Sequence, residues 1–282
     1  MTDFIKKEKL CLGISKTFDA PFDEQIRLIK KVGFDAFFTS WDENLKKYKE
    51  IADEIGLIYQ SVHAPFKNAA KMWKSDSESK EATEELIKCV KDSREINVPI
   101  VVIHPYIGFE DKYEPTKYGI ENFGVVIEEA KKQNIKIAFE NVEGEEYLEA
   151  LMNAFSDYEN VGFCWDSGHE LCYNKGKDML KLYGKKLIAT HLNDNCGISD
   201  CNGKIYWTDD LHLLPFDGIH NWEDVANRLN NCNYVDILTF ELSKTSKPNR
   251  NENDKYSIMS LEEYLKETYF RACKIASLKN QS

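Results

Sequence analysis

Residues 135–170, IKIAFENVEGEEYLEALMNAFSDYENVGFCWDSGHE, contain the pattern that decides the fold. Residues 135–140 and 161–166 are apolar runs of strand length, and EEYLEALMNAF between them has apolar residues at helical spacing. A strand, a helix and a second strand in this order predict two parallel strands joined by a right-handed crossover. Each of the two predicted strands ends in an acidic residue, Glu140 and Asp166.

The same unit recurs along the chain. Further strands are predicted at residues 9–15, 34–40, 57–63, 99–104, 187–191 and 236–241. The stretches between them, such as FDEQIRLIKKVG and YGIENFGVVIEEAKKQN, have helical periodicity. Eight strand–helix units are the number that closes a (β/α)8 barrel, so the sequence predicts an α/β TIM barrel that forms a single domain over residues 1–282. The alternative, an open doubly wound sheet, usually carries a Gly-rich turn after its first strand, and none follows here.

Composition narrows the classes of partner. The chain has 37 Lys and Arg against 48 Asp and Glu, which gives a formal net charge of −11. Nucleic acids and anionic membranes require a positive face, so this charge argues against both as partners. No stretch approaches the ~18 apolar residues of a membrane span, and MTDFIKKEKL lacks the apolar segment of a signal peptide. The eight cysteines include no CxxC pair, which favours free thiols and a cytoplasmic protein. A homo-oligomer is compatible with the sequence.

Residues of the types that bind metals stand at the predicted strand ends. Strands three to eight end at or beside His63, His104, Glu140, Asp166, His191 and Glu241. His169 follows strand six closely, and Asp210 and His212 lie in the long loop 192–220 after strand seven. None of the six histidines falls in a predicted helix. Because a barrel brings the carboxyl ends of its strands to a common mouth, we expect these side chains to converge there.

Two of these carboxylates point to a metal. Glu140 and Glu241 each follow an apolar run that ends in phenylalanine, so both are expected to be partly buried. A buried carboxylate without a partner is costly, and no Lys or Arg stands at a strand end to pair with either one. A divalent cation is therefore the expected partner. Two Glu, one Asp and one His form an oxygen-rich set that favours Mn²⁺, Mg²⁺ or Co²⁺ and also accommodates Zn²⁺.

Five segments carry a family resemblance: ENVEG at 140–144, WDSGHE at 165–170, HLNDN at 191–195, DLHLLPFDG at 210–218 and ELS at 241–243. With them the chain resembles the xylose isomerase-like TIM-barrel superfamily. That group includes sugar isomerases, ketose 3-epimerases, inosose isomerases and dehydratases, and endonuclease IV. The similarity covers nearly the whole barrel, and DLHLLPFDG resembles a loop common among sugar phosphate isomerases and epimerases.

The resemblance to the sugar enzymes implies roles for individual residues. One metal would be bound by Glu140, Asp166, His191 and Glu241. The substrate would be contacted by His63, His104, His169, Glu146 and His212. For Glu146 the alternative is an ordinary acidic residue at a helix N-terminus.

The resemblance to endonuclease IV implies more metal ions in the same place. His63 and His104 would join Glu140 at a second metal, and a third would be bound by His169, Asp210 and His212. Every position of this three-metal pattern is occupied by a residue that can act as a ligand. The resemblance alone therefore does not separate the two functions.

The leading hypothesis is a divalent-metal-dependent isomerase or epimerase that acts on a sugar, sugar phosphate or cyclitol, with Glu140 and Glu241 as catalytic residues. Strands five and eight are expected to lie across the barrel from each other. One carboxylate would then remove a proton from one face of a carbon, and the other would return a proton to the opposite face. A metal beside them would polarise the adjacent carbonyl.

Two alternatives belong to other classes. One is an endonuclease IV-like phosphodiesterase or abasic-site nuclease with two or three zinc ions, although the Ser-Tyr-Leu-Ile-Asn-Leu run of that enzyme is absent after His63. The other is a barrel that binds a sugar or a protein without catalysis. On the sugar side, the run HLNDNCG lacks the arginine that ketose 3-epimerases carry after the strand-seven histidine. The number of bound metal ions separates the first two, and protein that binds no metal would favour the third.

Overall fold

The computed structural model describes residues 8–109 and 114–281. Eight strands, β1 to β8, span Leu10–Gly13, Ala36–Ser40, Ile58–His63, Ile100–Ile103, Lys136–Glu140, Val161–Asp166, Leu187–His191 and Leu238–Phe240. The helices in this part of the chain, α1 to α9, span Phe22–Val32, Leu45–Ile55, Ser77–Glu95, Lys117–Lys132, Glu145–Ala154, Ser167–Cys172, Met179–Tyr183, Trp222–Asn231 and Leu261–Gln281.

The strands form one parallel sheet with the order β7-β6-β5-β4-β3-β2-β1-β8. Its two edges meet at the carboxyl end of the barrel, where the Leu192 amide donates to the Thr239 carbonyl at 2.7 Å and the Glu241 amide to the Leu192 carbonyl at 3.3 Å. A parallel bridge between Leu192 and Phe240 accompanies these bonds. The barrel is thus nearly closed. The predicted (β/α)8 fold is confirmed, and the open doubly wound alternative is wrong.

The extent of the domain stays a prediction. The proposed limits, residues 1–282, include residues 1–7, 110–113 and 282, which lie outside the described residues, as does most of the MTDFIKKEKL stretch. Among the helices that are described, none combines the length and the apolar character needed to cross a membrane.

The alternation of side chains along each strand directs the polar strand ends into the barrel. On β5, Ile137 and Phe139 pack in the main core, whereas Ala138 belongs to a separate cluster with Val102, Cys164 and Ala189. These four small residues stand two positions before Glu140, His104, Asp166 and His191. Because side chains two apart on a strand share a face, each polar residue lies one layer above a small residue, on the same side of the sheet.

One expectation about the histidines is wrong. His169 lies in α6, a one-and-a-half-turn helix that starts immediately after β6, although no histidine falls in a predicted helix. The Asp166 carboxylate starts this helix, since its Oδ1 accepts a hydrogen bond from the His169 amide at 2.7 Å. Six residues are too few to show helical periodicity, which is why the sequence pattern does not reveal α6.

Candidate metal centre

Four side chains from successive strands meet at the carboxyl end of the barrel. Glu140, Asp166, His191 and Glu241 each offer one ligand atom, and these atoms all lie within 4.8 Å of one another. His191 Nδ1 lies 3.0 Å from Glu140 Oε1 and 2.8 Å from Glu241 Oε2. We call these four residues the inner group. It is the set that the family resemblance implies for a single metal.

The two glutamates of the inner group differ in exposure. Strands β5 and β8 lie three places apart around the eight-stranded barrel, with β6 and β7 between them. Glu140 and Glu241 both approach the same His191 nitrogen. Glu140 is completely buried, whereas the Glu241 side chain is 30% exposed and lines the cavity. Of the two carboxylates, Glu241 is the one open to a bound molecule.

Two buried asparagines hold Asp166 in position. The Asn141 amide group donates to the Asp166 carbonyl at 2.8 Å, and its oxygen accepts from the Asp166 amide at 2.8 Å. Asn193 Nδ2 donates to Asp166 Oδ2 at 2.9 Å. Both asparagines have no exposed surface. They are part of the ENVEG and HLNDN segments, so these segments supply the support of the candidate centre as well as its candidate ligands.

The glycine of WDSGHE leaves room for this support. A Cβ atom built on Gly168 would lie 1.9 Å from Asn193 Oδ1, which is closer than any real contact between such atoms. Asn193 cannot move away freely because it also bonds Asp166 and is fully buried. The sequence pattern does not disclose this contact, since the two residues are 25 positions apart.

We expect Gly168→Ala to destabilise the fold by about 1–3 kcal/mol, as overpacking of a dense site does. We also expect it to weaken metal binding about 10- to 100-fold, because the displaced Asn193 no longer orients Asp166. Urea unfolding and a zinc titration measure the two effects. Gly124→Ala is the matched control: its Cβ would lie 3.5 Å from Phe155, an ordinary contact on α4, and should not weaken metal binding. Equal metal affinity in the two variants would contradict the support role of Asn193.

A second cluster shares Glu140. His63 Nε2 lies 3.2 Å from Glu140 Oε2 and 3.1 Å from His104 Nε2, and His104 Nε2 lies 3.3 Å from the same Glu140 oxygen. His63 is oriented by its other ring nitrogen, which lies 2.8 Å from the Ala64 carbonyl. Glu140 thus directs one carboxylate oxygen to His191 and the other to the histidine pair.

A third cluster lies nearer to solvent and is called here the outer group. It consists of His169, Asp210 and His212, whose ligand atoms also lie within 4.8 Å of one another. His169 Nε2 is 3.4 Å from Asp210 Oδ1, and His212 Nε2 is 2.9 Å from Asp210 Oδ2. The Nδ1 atoms of both histidines face backbone carbonyls, those of Asn141 and Glu241, which orients the Nε2 atoms toward Asp210.

Burial and mutual attraction shift the pKa values of the inner group. Burial alone would raise the pKa of Glu140, but the neighbouring His191, His104 and His63 hold it well below its ordinary value. Burial raises the pKa of Asp166 to about 6. The pKa of Glu241 falls to about 2, because the attraction of His191 outweighs the effect of burial. The inner group therefore concentrates negative charge in a site with little access to water.

Burial and attraction between charges also oppose each other in the outer group. Burial opposes the charged form of His169, yet Asp166 and Asp210 raise its pKa to about 10. The pKa of Asp210 lies well below its ordinary value because His212 and His169 outweigh burial. Protons on histidines neutralise these carboxylates. A divalent ion at either group would have to displace such protons, so its affinity would fall as the pH is lowered.

The donor set of the inner group fits a divalent ion. It offers three carboxylates and one imidazole, an oxygen-rich set of the kind that binds Mn²⁺, Mg²⁺ or Co²⁺ and accommodates Zn²⁺. Within the part of the chain that the structure describes, the ion-pair partners of Glu140 and Glu241 are histidines, with no Lys or Arg within 4.0 Å.

A cavity of about 270 Å³ opens above the three clusters. Its walls include four aromatic residues, Phe66, Phe109, Tyr173 and Trp207. Polar groups enter it from His63, His104, Glu143, His169, Asp210, His212, Glu241 and Lys247. Phe66 stacks on the His104 ring, with the ring centroids 4.7 Å apart. The cavity has the size and mixed lining of a site for a small polar molecule.

The sequence pattern predicts most of the residues of this site, but not all of them. The nine residues of the three-metal pattern all come together. Glu146 does not line the cavity: it is exposed in the first turn of α5, as its alternative interpretation has it. Glu143, three residues earlier, lines the cavity instead, and burial raises its pKa. Both glutamates follow the same strand, and only the local backbone path decides which one points inward.

His220 has a structural role and takes no part in the clusters. Its amide donates to Asp194 Oδ1 at 3.1 Å, and its Nε2 lies 2.8 Å from the Ser167 carbonyl. The same buried Asp194 accepts hydrogen bonds from the Phe216 amide and from Trp222 Nε1, both at 2.9 Å. Asp194 of HLNDN thus holds the loop that carries DLHLLPFDG against the barrel by hydrogen bonds.

Comparisons with known proteins agree with this fold. A family model described as a xylose isomerase-like TIM barrel matches residues 26–264. The chain is similar to the uncharacterized protein y4fM of Sinorhizobium fredii, with 28% identity over 274 residues that cover 80% of this chain and 83% of that protein.

Solved structures with the same fold are more distant in sequence. The IolI protein with a bound zinc atom superposes with a TM-score of 0.75 at 19% identity, covering 95% of this chain and 98% of that one. An L-ribulose 3-epimerase gives a TM-score of 0.72 at 14% identity, over 97% and 96% of the two chains. The D-psicose 3-epimerase of Clostridium cellulolyticum H10, solved with D-tagatose, gives 0.69 at 14% identity, over 94% and 99%.

Proposed function

The chain belongs to the xylose isomerase-like TIM-barrel family, and from this premise we propose that it is a divalent-metal-dependent isomerase or epimerase. The proposed substrate is a sugar, sugar phosphate or cyclitol. The observation that carries the proposal is the convergence of Glu140, Asp166, His191 and Glu241 within 4.8 Å beneath a cavity for a small polar molecule. Epimerases of ketoses and a zinc-binding protein among the structural neighbours support it.

In the proposed reaction Glu241 is the base. Its side chain is the part of the inner group that faces the cavity, and its low pKa keeps it ionised at neutral pH and able to accept a proton. Glu140 contacts the same His191 nitrogen but is completely buried and ionised, so it would return a proton only after taking one up from a neighbouring histidine. A divalent ion held by the inner group would polarise the substrate carbonyl and the neighbouring hydroxyl.

The other polar residues of the cavity would bind and orient the substrate. His63, His104, His169 and His212 line the wall around Glu241 and offer ring nitrogens to hydroxyl groups. Glu143, on the loop after β5, adds a buried carboxyl group. The aromatic residues at the rim, including Trp207, would cover the sugar and limit access of water during proton transfer.

A second candidate function is that of a phosphodiesterase or abasic-site nuclease with two or three zinc ions. The observation in its favour is that two further clusters, His63–His104–Glu140 and the outer group, lie beside the inner group. Several metal ions close together could clamp the attacking and leaving oxygens of a phosphodiester. The net charge of −11 argues against a nucleic-acid substrate.

Elemental analysis of protein purified without added metal, together with an activity panel, tests the proposal. We expect a divalent metal to copurify and turnover to appear on a ketose, an inosose or one of their phosphates. Glu140→Gln should lose that metal. Cleavage of an abasic duplex with no turnover of the sugars would reject the isomerase in favour of the nuclease. Protein that binds no divalent ion under any condition would reject both.

A further inference from the structure

A lysine lies against the outer group and has no counterpart at the inner group. Lys247 Nζ lies 3.3 Å from Asp210 Oδ2, the same oxygen that His212 Nε2 contacts at 2.9 Å. The lysine side chain is 23% exposed and lines the cavity. Asp210 Oδ2 is therefore already shared by a lysine ammonium and a histidine, while Asp210 Oδ1 faces His169.

The position of Lys247 is held by contacts between two loops. Lys247 belongs to the loop after β8, and Asp210 to the loop after β7. The Ser243 amide donates to the His212 carbonyl at 2.9 Å, and Arg250 Nη1 donates to Asp209 Oδ1 at 3.0 Å.

Further contacts surround the lysine itself. Its ammonium lies 5.8 Å from the centroid of the Trp207 ring, within the range of a cation–π contact. Asn253 is almost completely buried and donates to the Leu211 carbonyl at 3.4 Å. The loops thus pack against each other, and the ammonium lies in the cavity wall.

An ammonium and a divalent ion compete for the outer group. Lysine has three donors and no lone pair when charged, so it cannot be a ligand and can only repel a nearby cation. The repulsion is strong where water is scarce, and Asp210 is 8% exposed. For the inner-group glutamates, by contrast, the described residues place only histidines within ion-pair distance. The two groups thus differ in the charge of their surroundings.

We propose that Lys247 takes the place of a metal ion at the outer group. Its ammonium neutralises Asp210 and leaves His169 and His212, which line the cavity, without a bound ion. The outer group consequently stays free of metal while the inner group keeps its ion. This inference rests on the proposed function and deepens it, because a barrel without the outer ion does not have the metal content of a three-zinc nuclease.

A zinc titration of chelator-treated protein, read by elemental analysis after dialysis, tests this inference. The wild type and Asp210→Asn are expected to bind the same number of zinc ions, because the outer group is not used. Lys247→Met is expected to bind one further zinc ion, and the double variant Lys247→Met/Asp210→Asn should lose that ion again. Lys16→Met is the matched control: it removes the same charge from an exposed residue that lines an adjoining cavity, and its zinc count should equal that of the wild type.

Two results would overturn the inference: a zinc count that falls in Asp210→Asn, or no gain in Lys247→Met. If Asp210→Asn does not fold, His212→Gln removes another ligand of the same group and gives the same comparison. Failure of the proposed function is a separate outcome. In that case the wild type binds no zinc at all, while Lys247→Met still gains an ion that depends on Asp210.

Discussion

Glu241→Gln is expected to lower kcat/KM on the substrate identified by the panel by about 10³-fold, with little change in stability. Removing a general base typically costs a factor of about 10²–10⁴, and Gln cannot accept a proton at that position. The loss of a carboxylate from the inner group adds to the effect by weakening the metal site. The fold should survive because the Glu241 side chain is 30% exposed and its side-chain ion pair is with His191.

The measurement separates chemistry from metal loss. Rates are determined at saturating metal, and zinc content is measured on the same samples. If Glu241 acts only as a ligand, activity should recover in proportion to the metal bound; if it also moves the proton, the rate stays low in fully loaded protein. Glu262→Gln is the matched control, since Glu262 of α9 pairs with Lys31 of α1 and with Lys266 of α9, away from the cavity. A fully loaded Glu241→Gln enzyme with near-normal rate would remove Glu241 from its catalytic role.

The fold and the convergence of the candidate ligands could be predicted because both follow from local pattern. The βαβ alternation is visible in stretches of some ten residues, and the same parity that buries Phe139 and Trp165 in the main core turns Glu140 and Asp166 inward. Once the barrel closes, the strand ends meet without any further information. A polar residue at a strand end is therefore placed by sequence position alone.

The support of the centre could not be predicted, because it depends on contacts between distant segments. Asn141 and Asn193 reach Asp166 from neighbouring strands, and Gly168 is required by an asparagine 25 residues away. Lys247 meets Asp210 only because two long loops pack together. In sequence these residues look like ordinary loop residues, and a solvated lysine is the usual interpretation of such a loop.

The glutamate of WDSGHE illustrates the same limit. Glu170 stands one position after His169 and has the residue type of a metal ligand, yet it belongs to a buried ion pair away from the centre. Its two oxygens accept hydrogen bonds from Arg228 Nη1 and Nη2, both at 2.8 Å. Trp165 Nε1 and the Met179 amide also donate to Oε2, at 2.9 and 3.0 Å. Glu170 thereby joins β6, α6, α7 and α8 behind the candidate site.

Arg228→Met is expected to cost about 3–5 kcal/mol of unfolding free energy, because it leaves a buried carboxylate without its cation. Glu170 is 4% exposed, so water cannot replace the lost partner. The substitution also removes the guanidinium from the face of Trp165, where it lies 5.0 Å from the ring centroid. Urea unfolding followed by circular dichroism measures the loss.

Two further variants decide whether burial is the cause. Arg27→Met breaks an exposed Arg–Glu pair of similar geometry, with Glu54, and should cost far less than Arg228→Met because both partners stay hydrated. The double variant Arg228→Met/Glu170→Gln should recover part of the loss, since a neutral amide oxygen still accepts from Trp165 Nε1 without an unpaired charge. Equal losses in Arg228→Met and Arg27→Met, or no recovery in the double variant, would show that the Arg228–Glu170 pair contributes no more than a surface contact.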